Sequence, residues 1–146
     1  MPQLSLFHSD QPYSHKVVVV EDDADDFELT RISFQKANFE NEVVWLDEGC
    51  KLIDYLLCRN GFESSGHANP LLIFLDLNMP KWNGQETIEA IKKHRDLATL
   101  RIVILTNADK THMQSIGLGE WPHIQKPLDF EKMYEYISNS NQFLFL

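Results

Sequence analysis

Three apolar runs, separated by stretches of helical character, most constrain how this chain can fold. The runs are VVVV (17–20), LLIFL (71–75) and RIVIL (101–105). Branched apolar residues in an unbroken run are typical of a strand buried on both faces, as in a parallel sheet. Because parallel strands are joined by crossovers, the alternation predicts right-handed βαβ units and a small doubly wound α/β domain.

Shorter segments complete this alternation. EVVWL (42–46) and HIQ (123–125) are the other two strand candidates. Helices are predicted over 24–37, 47–60 and 85–94, in a short segment over 109–118, and from Asp129 onward. The last helix would carry one apolar face, formed by Phe130, Met133, Tyr134 and Ile137. The turn-rich stretch 61–70 is predicted to be a surface loop.

Length and charge narrow the class of protein. A chain of 146 residues has the size of one domain with a real core. Its 22 acidic and 13 basic residues give a net charge of −9, which argues against binding nucleic acid through phosphates. No apolar run approaches the roughly 18 residues that would span a bilayer. The first residues lack the pattern of a signal peptide, so we expect no nucleic acid, no membrane and a cytoplasmic location.

Five carboxylates crowd the six positions that follow VVVV, in the stretch EDDADD. In doubly wound sheets polar groups collect beyond the carboxyl ends of the strands, where Glu21 and Asp22 would meet Asp76. Two carboxylates about 4 Å apart repel by roughly 4 kcal/mol at an effective dielectric constant near 20. A cation of the Mg²⁺ type, which prefers hard oxygen ligands, would relieve this repulsion.

Helix physics offers another explanation for the rest of the acidic run. Asp23 is suited to cap the following helix, and for this residue capping and a place in the site stay equal alternatives. Asp25 and Asp26 would lie in the first helical turn, where the positive end of the helix dipole favours anions. We assign these two residues to the helix and not to the site.

Two further polar side chains follow predicted strands. The hydroxyl of Thr106, directly after RIVIL, can donate a hydrogen bond to an anion, although a threonine is also common at a strand end. Lys126, after the HIQ strand, supplies a flexible positive charge suited to a phosphoryl oxygen or a carboxylate. Most lysines are simply solvated, so neither residue carries the prediction alone.

Together these residues resemble the receiver domain of bacterial two-component response regulators. The resemblance rests on VVEDD, on Asp76 within IFLDLNMP with NG after it, on ILT ending at Thr106, and on QKP at Lys126. Four motifs in this order, each at a strand end, form a specific signal from residue 16 to the last helix. The resemblance implies a flavodoxin-like fold, a five-stranded parallel sheet of order 2-1-3-4-5 with helices on both faces.

The resemblance also implies roles for the residues of the site. Asp76 would be the phosphoacceptor, and Thr106 and Lys126 would contact the phosphoryl oxygens. Glu21, Asp22, Asp76 and the backbone carbonyl of Asn78 would hold Mg²⁺ or Mn²⁺. Phosphoryl transfer needs positioning and charge stabilisation more than covalent help, which agrees with this residue set. The protein would be a self-phosphorylating acceptor with slow autodephosphorylation at most, and not an enzyme.

The implied partner is a sensor histidine kinase or a histidine phosphotransfer protein. The Glu-Asp pair, the long loop RNGFESSGHANP and the stretch HRDLATLRIVILT are similar to stand-alone regulators of bacterial phytochrome kinases, which makes a light-linked kinase an expectation. We expect a flexible N-terminal arm over 1–15, a receiver domain over 16–140 and an apolar tail over 141–146. The tail would form a homodimer contact or fold back onto its own domain. We expect no second domain, in which case output would travel by protein contact or phosphorelay.

Departures from the family pattern single out further residues. His123 stands where the family has a switch aromatic that responds together with Thr106; a surface histidine without that role is an equal alternative. Asn107 and Asn78 lie at the mouth of the site, and the amide of Asn107 would hinder the hydrolytic water. The Lys126–Pro127 bond is expected to be cis by resemblance. A short segment before Lys126, with its unusual GEWP, predicts a brief fourth helix.

Three other functions are alternatives to a phosphoacceptor domain. A Mg²⁺-dependent phosphatase with an aspartate nucleophile usually has a second acid two residues on, where this chain has Asn78. A receiver-like module independent of phosphorylation would be expected to lose part of the set formed by Glu21, Asp22, Asp76, Thr106 and Lys126. A flavin phosphate would need hydroxyls and backbone donors where the loop after the first strand is acidic.

Overall fold

A five-stranded parallel sheet forms the centre of the protein. The structure is a computed structural model, and it describes residues 6–7, 16–36, 39, 41–64, 70, 72–94, 100–119, 121–126, 128–129, 131–132, 135 and 144–145. The sheet strands are β1 (Val17–Val20), β2 (Val43–Leu46), β3 (Leu72–Asp76), β4 (Ile102–Thr106) and β5 (His123–Gln125). Their order in the sheet is β2-β1-β3-β4-β5, which confirms the predicted topology.

The central strands are the apolar runs of the sequence. Every residue of β1, β3 and β4 is buried, as expected of strands that are covered on both faces. The two edge strands are less enclosed, and in β2 only Leu46 is buried. The predicted strand at 71–75 is shifted by one residue in the structure, so that Asp76 is the last residue of β3. Thr106 ends β4 in the same way.

In the described part of the chain four helices connect the strands, and a polar side chain caps the start of three of them, α2 being the exception. They are α1 (Ala24–Lys36), α2 (Gly49–Leu56), α3 (Gly84–Lys92) and α4 (Lys110–Ser115). Asp23 caps α1 by accepting the N–H groups of Asp25 and Asp26, and Asn83 and Asp109 cap α3 and α4. Asp129 accepts the N–H of Lys132 at 2.9 Å, where the last helix was predicted to open.

Two helix predictions need comment. The predicted helix over 47–60 is shorter in the structure because Cys58 and Asn60 have left-handed backbone, with φ of 53° at each, which α-helical hydrogen bonding does not accommodate. The fourth helix is brief, as predicted, at six residues. The apolar face predicted for the last helix, at Phe130, Met133, Tyr134 and Ile137, lies outside the described residues.

The helices cover both faces of the sheet, as predicted. One face, represented by Val18, Ile73 and Ile104, packs against Leu52 of α2 and Ile88 of α3. The opposite face, represented by Val19, Phe74 and Leu105, packs against Phe34 of α1 and Leu128. Each strand therefore contributes alternate side chains to two separate apolar clusters. This double burial fixes the strand register on which the site depends.

The two ends of the chain form a small ribbon. Leu6–Phe7 pairs antiparallel with Leu144–Phe145, so part of the apolar tail contacts the N-terminal arm of the same chain. The homodimer contact expected of the tail stays a prediction. Among the described residues, no helix combines the length and the apolar character that crossing a bilayer requires.

Candidate functional site

The carboxyl ends of three adjacent strands bring the predicted site residues together. Val20 pairs with Leu75, so the next residues, Glu21 and Asp76, lie side by side on neighbouring strands. Asp76 pairs in turn with Leu105, the residue before Thr106. The main chain of Lys126 joins this edge, because its N–H donates to the carbonyl oxygen of Thr106 at 2.8 Å. Parallel register alone therefore gathers the site.

Three carboxylates form an acidic cluster at this edge. Each of Glu21, Asp22 and Asp76 offers an oxygen within 4.8 Å of the others. Glu21 and Asp76 are buried, each with 2% of its surface exposed, whereas Asp22 is exposed. Burial in a medium of low dielectric constant strengthens the repulsion between the carboxylates of Glu21 and Asp76. The crowding predicted from the sequence is present in the folded chain.

Lys126 supplies the positive charge that faces this cluster. Its Nζ lies 2.9 Å from Oε2 of Glu21, 3.2 Å from Oδ1 of Asp76 and 3.2 Å from Oδ2 of Asp26. Only 12% of the lysine side chain is exposed, so these contacts are largely shielded from water. Asp26 was assigned to the helix dipole alone; the structure corrects this, since the carboxylate also pairs with Lys126 across a separation of 100 residues.

Burial is the main cause of the raised pKa values of the carboxylates at this site. Burial raises the pKa of Glu21 to about 8; the hydrogen bond from Lys126 opposes the shift, and the nearby Asp76 adds to it. Asp22 is more exposed, but the desolvation it does experience also raises the pKa of its carboxyl group. Burial disfavours the ammonium of Lys126, but its hydrogen bond with Glu21 and the charge of Asp76 prevail and raise the pKa of the lysine. The charge of Lys126 therefore opposes the upward shift of the Glu21 pKa but does not cancel it.

The donor set fits a hard divalent cation. When ionised, Glu21, Asp22 and Asp76 carry a formal excess of two negative charges over the single charge of Lys126. Carboxylate oxygens are the ligands that Mg²⁺ and Mn²⁺ accept, and Mg²⁺ is commonly held by only one or two protein carboxylates. Neither thiol nor imidazole belongs to the cluster. The residues therefore suit the metal predicted from the sequence.

Thr106 and Asn78 border the acidic cluster. Thr106 is fully buried, and its hydroxyl oxygen accepts the N–H of Ala108 at 2.9 Å, which leaves the hydroxyl hydrogen as a donor. The N–H of Asn78 donates to Oδ1 of Asp76 at 3.1 Å. This turn after β3 is held tightly, since a Cβ on Gly84 would lie 2.9 Å from Cα of Leu77. The predicted metal contact through the carbonyl of Asn78 stays a prediction.

A cavity of about 260 Å³ opens beside the cluster, between α1 and the residues after β4. Its polar lining consists of Glu21, Asp26, Thr30, Asn107 and Lys126, and its apolar lining of leucines. Asn107 is exposed and lines this cavity. The predicted effect of its amide on the hydrolytic water stays a prediction.

Sequence reasoning missed Trp45, a residue of the edge strand β2. Its indole Nε1 donates to the carbonyl oxygen of Glu21 at 2.8 Å, while its ring stacks on Phe27 of α1 with centroids 4.5 Å apart. The only sequence signal is the presence of a tryptophan among the valines of β2. Nothing in EVVWL indicates that this side chain reaches the acidic loop.

Two other residues singled out by the sequence, His123 and Pro127, have no described contact with the acidic cluster. His123 is half-buried in β5, and its Nδ1 lies 3.0 Å from the carbonyl oxygen of Trp121. Because a carbonyl only accepts, Nδ1 carries the hydrogen in this contact. A switching role for His123 together with Thr106 stays a prediction. Pro127, predicted to follow a cis bond, lies outside the described residues.

Known proteins are similar to this chain in sequence. Residues 17–138 match the profile of the response regulator receiver domain. The response regulator Rcp1 of Synechocystis is 33% identical over 101 residues, which cover 68% of this chain and 67% of Rcp1. FilR2 of Methanothrix harundinacea, named a probable methanogenesis regulatory protein, is 26% identical over 129 residues, which cover 87% of this chain and 81% of FilR2.

Solved structures give the same result. The bacteriophytochrome response regulator AtBRR superposes with a TM-score of 0.78 at 28% identity, over 90% of this chain and 95% of that one. The Mn²⁺-bound form of Rcp1 superposes with a TM-score of 0.63 at 26% identity, over 83% of this chain and 87% of that one. The agreement extends over most of both chains in each pair.

Proposed function

The chain belongs to the response regulator receiver domain family, and from that premise we propose that Asp76 accepts a phosphoryl group in a reaction that depends on Mg²⁺. Receiver domains are in general phosphoryl acceptors and not enzymes of the ordinary kind. The observation that carries the proposal is the buried carboxylate of Asp76, flanked by Glu21 on one side and by the Thr106 end of β4 on the other.

The proposed chemistry follows from these positions. An oxygen of Asp76 attacks the phosphorus of a phosphohistidine donor, the bond from phosphorus to the imidazole nitrogen breaks, and an acyl phosphate forms on Asp76. The departing imidazole takes up a proton from solvent. Lys126, already 3.2 Å from Asp76, and the hydroxyl of Thr106 then stabilise the phosphoryl oxygens. Glu21, Asp22, Asp76 and the carbonyl of Asn78 would hold Mg²⁺ or Mn²⁺, which when bound would supply positive charge to offset that of the transferring group.

Before transfer, the same residues keep the site ready. Lys126 is held by Glu21 and Asp26 as well as by Asp76, so its charge stays at the acceptor in the absence of a phosphoryl group. The acyl phosphate carries about two negative charges at neutral pH, which attract Lys126 and Thr106 more strongly than the carboxylate did. This change in attraction is the proposed signal, and His123 on β5 is the candidate to respond with Thr106.

The proposed donor is a histidine kinase or a histidine phosphotransfer protein. Support for a phytochrome-type kinase comes from AtBRR, whose name ties it to a bacteriophytochrome, and from the similarity that covers 90% of this chain. The proposed setting is the cytoplasm, and light scattering tests the proposed homodimer. The proposed acceptor would lose its phosphoryl group slowly by itself.

Intact mass spectrometry tests the proposal directly. We expect wild type to gain one phosphoryl group from a small acyl-phosphate donor in the presence of Mg²⁺, and to gain none with EDTA. Asp76→Asn, which removes the nucleophile and keeps the size of the side chain, should gain none. Asp25→Asn is the matched control, because that exposed carboxylate lies in the first turn of α1.

Two results would contradict the proposal. Equal labelling of Asp76→Asn and wild type would place the acceptor elsewhere. Absence of labelling in wild type, both from the small donor and from a panel of phosphorylated histidine kinases, would support a module that works without phosphorylation. Circular dichroism of each variant establishes that the fold is intact.

A further inference from the structure

Trp45 connects the edge of the sheet to the loop that carries the two neighbouring acidic residues of the site. The side chain belongs to β2, yet 41% of its surface is exposed, so it does not serve to fill the core. Its indole N–H donates to the carbonyl oxygen of Glu21 at 2.8 Å. That carbonyl belongs to the peptide bond between Glu21 and Asp22.

The backbone of Glu21 is thereby held from two sides by the same strand. Its N–H donates to the carbonyl oxygen of Leu46 at 3.0 Å, continuing the ladder between β1 and β2. Its carbonyl, which lies beyond the end of β1, accepts from the side chain of Trp45. The indole thus takes the place of a further ladder hydrogen bond and fixes the plane of the peptide that joins Glu21 and Asp22.

The indole is itself held in place by α1. The rings of Trp45 and Phe27 are nearly parallel, with an angle of 3° between their planes and 4.5 Å between their centroids. Phe27 lies one residue after Asp26, and its N–H donates to the carbonyl oxygen of Asp23 at 2.9 Å. The stack therefore joins β2 to the first turn of the helix that follows the acidic loop.

From this geometry we propose that Trp45 is a positioning residue for divalent metal binding. A rotation of the peptide between Glu21 and Asp22 would turn one carboxylate away from the other, and the indole N–H opposes that rotation. Groups that orient metal ligands through hydrogen bonds typically change metal affinity by about 10-fold to 100-fold when they are removed. The inference rests on the proposed function, because it concerns the metal of that same site.

Trp45→Phe provides the test, since it keeps an aromatic ring against Phe27 and removes the N–H donor. Mn²⁺ binding is followed through the electron paramagnetic resonance signal of free Mn²⁺, at a temperature below the unfolding midpoint of each variant. We expect the dissociation constant to rise about tenfold. In the acyl-phosphate assay, the Mg²⁺ concentration for half-maximal rate should rise by the same factor, while the rate at saturating Mg²⁺ stays within about twofold of wild type.

Two variants separate positioning from general loss of stability. Trp121→Phe is the matched control, because this half-buried tryptophan packs against the core before β5, and it should leave Mn²⁺ affinity unchanged. Phe27→Leu removes the stacking partner but leaves the N–H donor, so its loss of affinity should be smaller than that of Trp45→Phe.

The outcomes distinguish this inference from the proposed function. Unchanged Mn²⁺ affinity in Trp45→Phe overturns the inference and leaves Asp76 as acceptor, and so does an equal loss in Trp121→Phe or a larger loss in Phe27→Leu. A fall in the rate at saturating Mg²⁺ without a change in half-saturation also overturns it. Absence of Mn²⁺ binding and of labelling in wild type overturns the proposed function together with it.

Discussion

The Glu21→Gln change should stabilise the metal-free protein, by an amount that depends on pH. The folded chain holds the pKa of Glu21 at about 8 through burial, against an ordinary value of 4.5. A carboxyl whose pKa is raised by folding contributes stability that is fully present below the unfolded pKa and is lost as pH rises through the folded pKa. Wild type should therefore lose stability between about pH 4.5 and pH 8. Glutamine does not titrate, so this loss disappears in the variant.

The magnitude follows from the shift and from the burial. With 2% of Glu21 exposed, solvent screening is small. At about 1.4 kcal/mol per pH unit, the penalty relative to the unfolded chain is about 1 kcal/mol at pH 5 and about 3 kcal/mol at pH 7. The amide oxygen of glutamine can still accept from Lys126, so the variant keeps that hydrogen bond. The advantage of Glu21→Gln should grow by about 2 kcal/mol between these two pH values.

Urea denaturation followed by tryptophan fluorescence, at pH 5 and pH 7 with EDTA, measures this difference. Excess Mg²⁺ should then stabilise wild type by mass action and stabilise Glu21→Gln less, since one ligand charge is gone. Glu89→Gln is the matched control: this exposed carboxylate pairs with Lys92 on the surface of α3, so its effect should stay within about 0.5 kcal/mol at both pH values. A Glu21→Gln variant that is less stable than wild type at pH 7, or whose advantage does not change with pH, would refute the reasoning.

Four further predictions concern the surroundings of the site. Lys126→Met removes the only described cation that contacts the acidic cluster and should lower the free energy of unfolding by about 3 kcal/mol in EDTA; an unchanged urea midpoint would contradict this. Asp23→Ala removes the cap of α1 and should cost about 1 kcal/mol by the same assay, whereas Asp25→Ala should cost clearly less. Gly49→Ala would place a Cβ 2.1 Å from the hydroxyl oxygen of Thr87 in α3. We expect this change to lower the free energy of unfolding by about 1–3 kcal/mol, and a raised melting temperature would contradict it. Asn107→Ala should speed loss of the phosphoryl group, measured by intact mass over time, and an unchanged rate would contradict a shielding role for this amide.

The residues at the strand ends could be predicted because simple periodicity locates them. Continuous apolar runs identify β1, β3 and β4, and a parallel arrangement brings whatever follows each run to the same edge. This reasoning predicts that Glu21, Asp76 and Thr106 lie at one edge of the sheet. The topology then required no further information than the alternation of strands and helices and the family resemblance.

The contacts of Asp26 and Trp45 could not be predicted in this way. Asp26 pairs with Lys126 across 100 residues, and Trp45 bonds to Glu21 across 24 residues. Both contacts depend on the direction of a side chain beyond the end of a strand, which neither period-two nor helical patterning determines. The end of α2 was misplaced for a local reason, because the left-handed backbone of Cys58 is not indicated by its residue type.

The separation between neighbouring strands determines how far apart the residues of the site lie. Glu21, Asp76 and Thr106 stand at the ends of β1, β3 and β4, which are successive neighbours in the sheet order. Hydrogen-bonded strands keep a separation of about 4.8 Å, whatever the length of the segments that connect them. An insertion in a connecting segment can therefore remodel the surface offered to partners without altering the distances at the reacting edge. Partner choice and chemistry are thus free to diverge in separate parts of the same small fold.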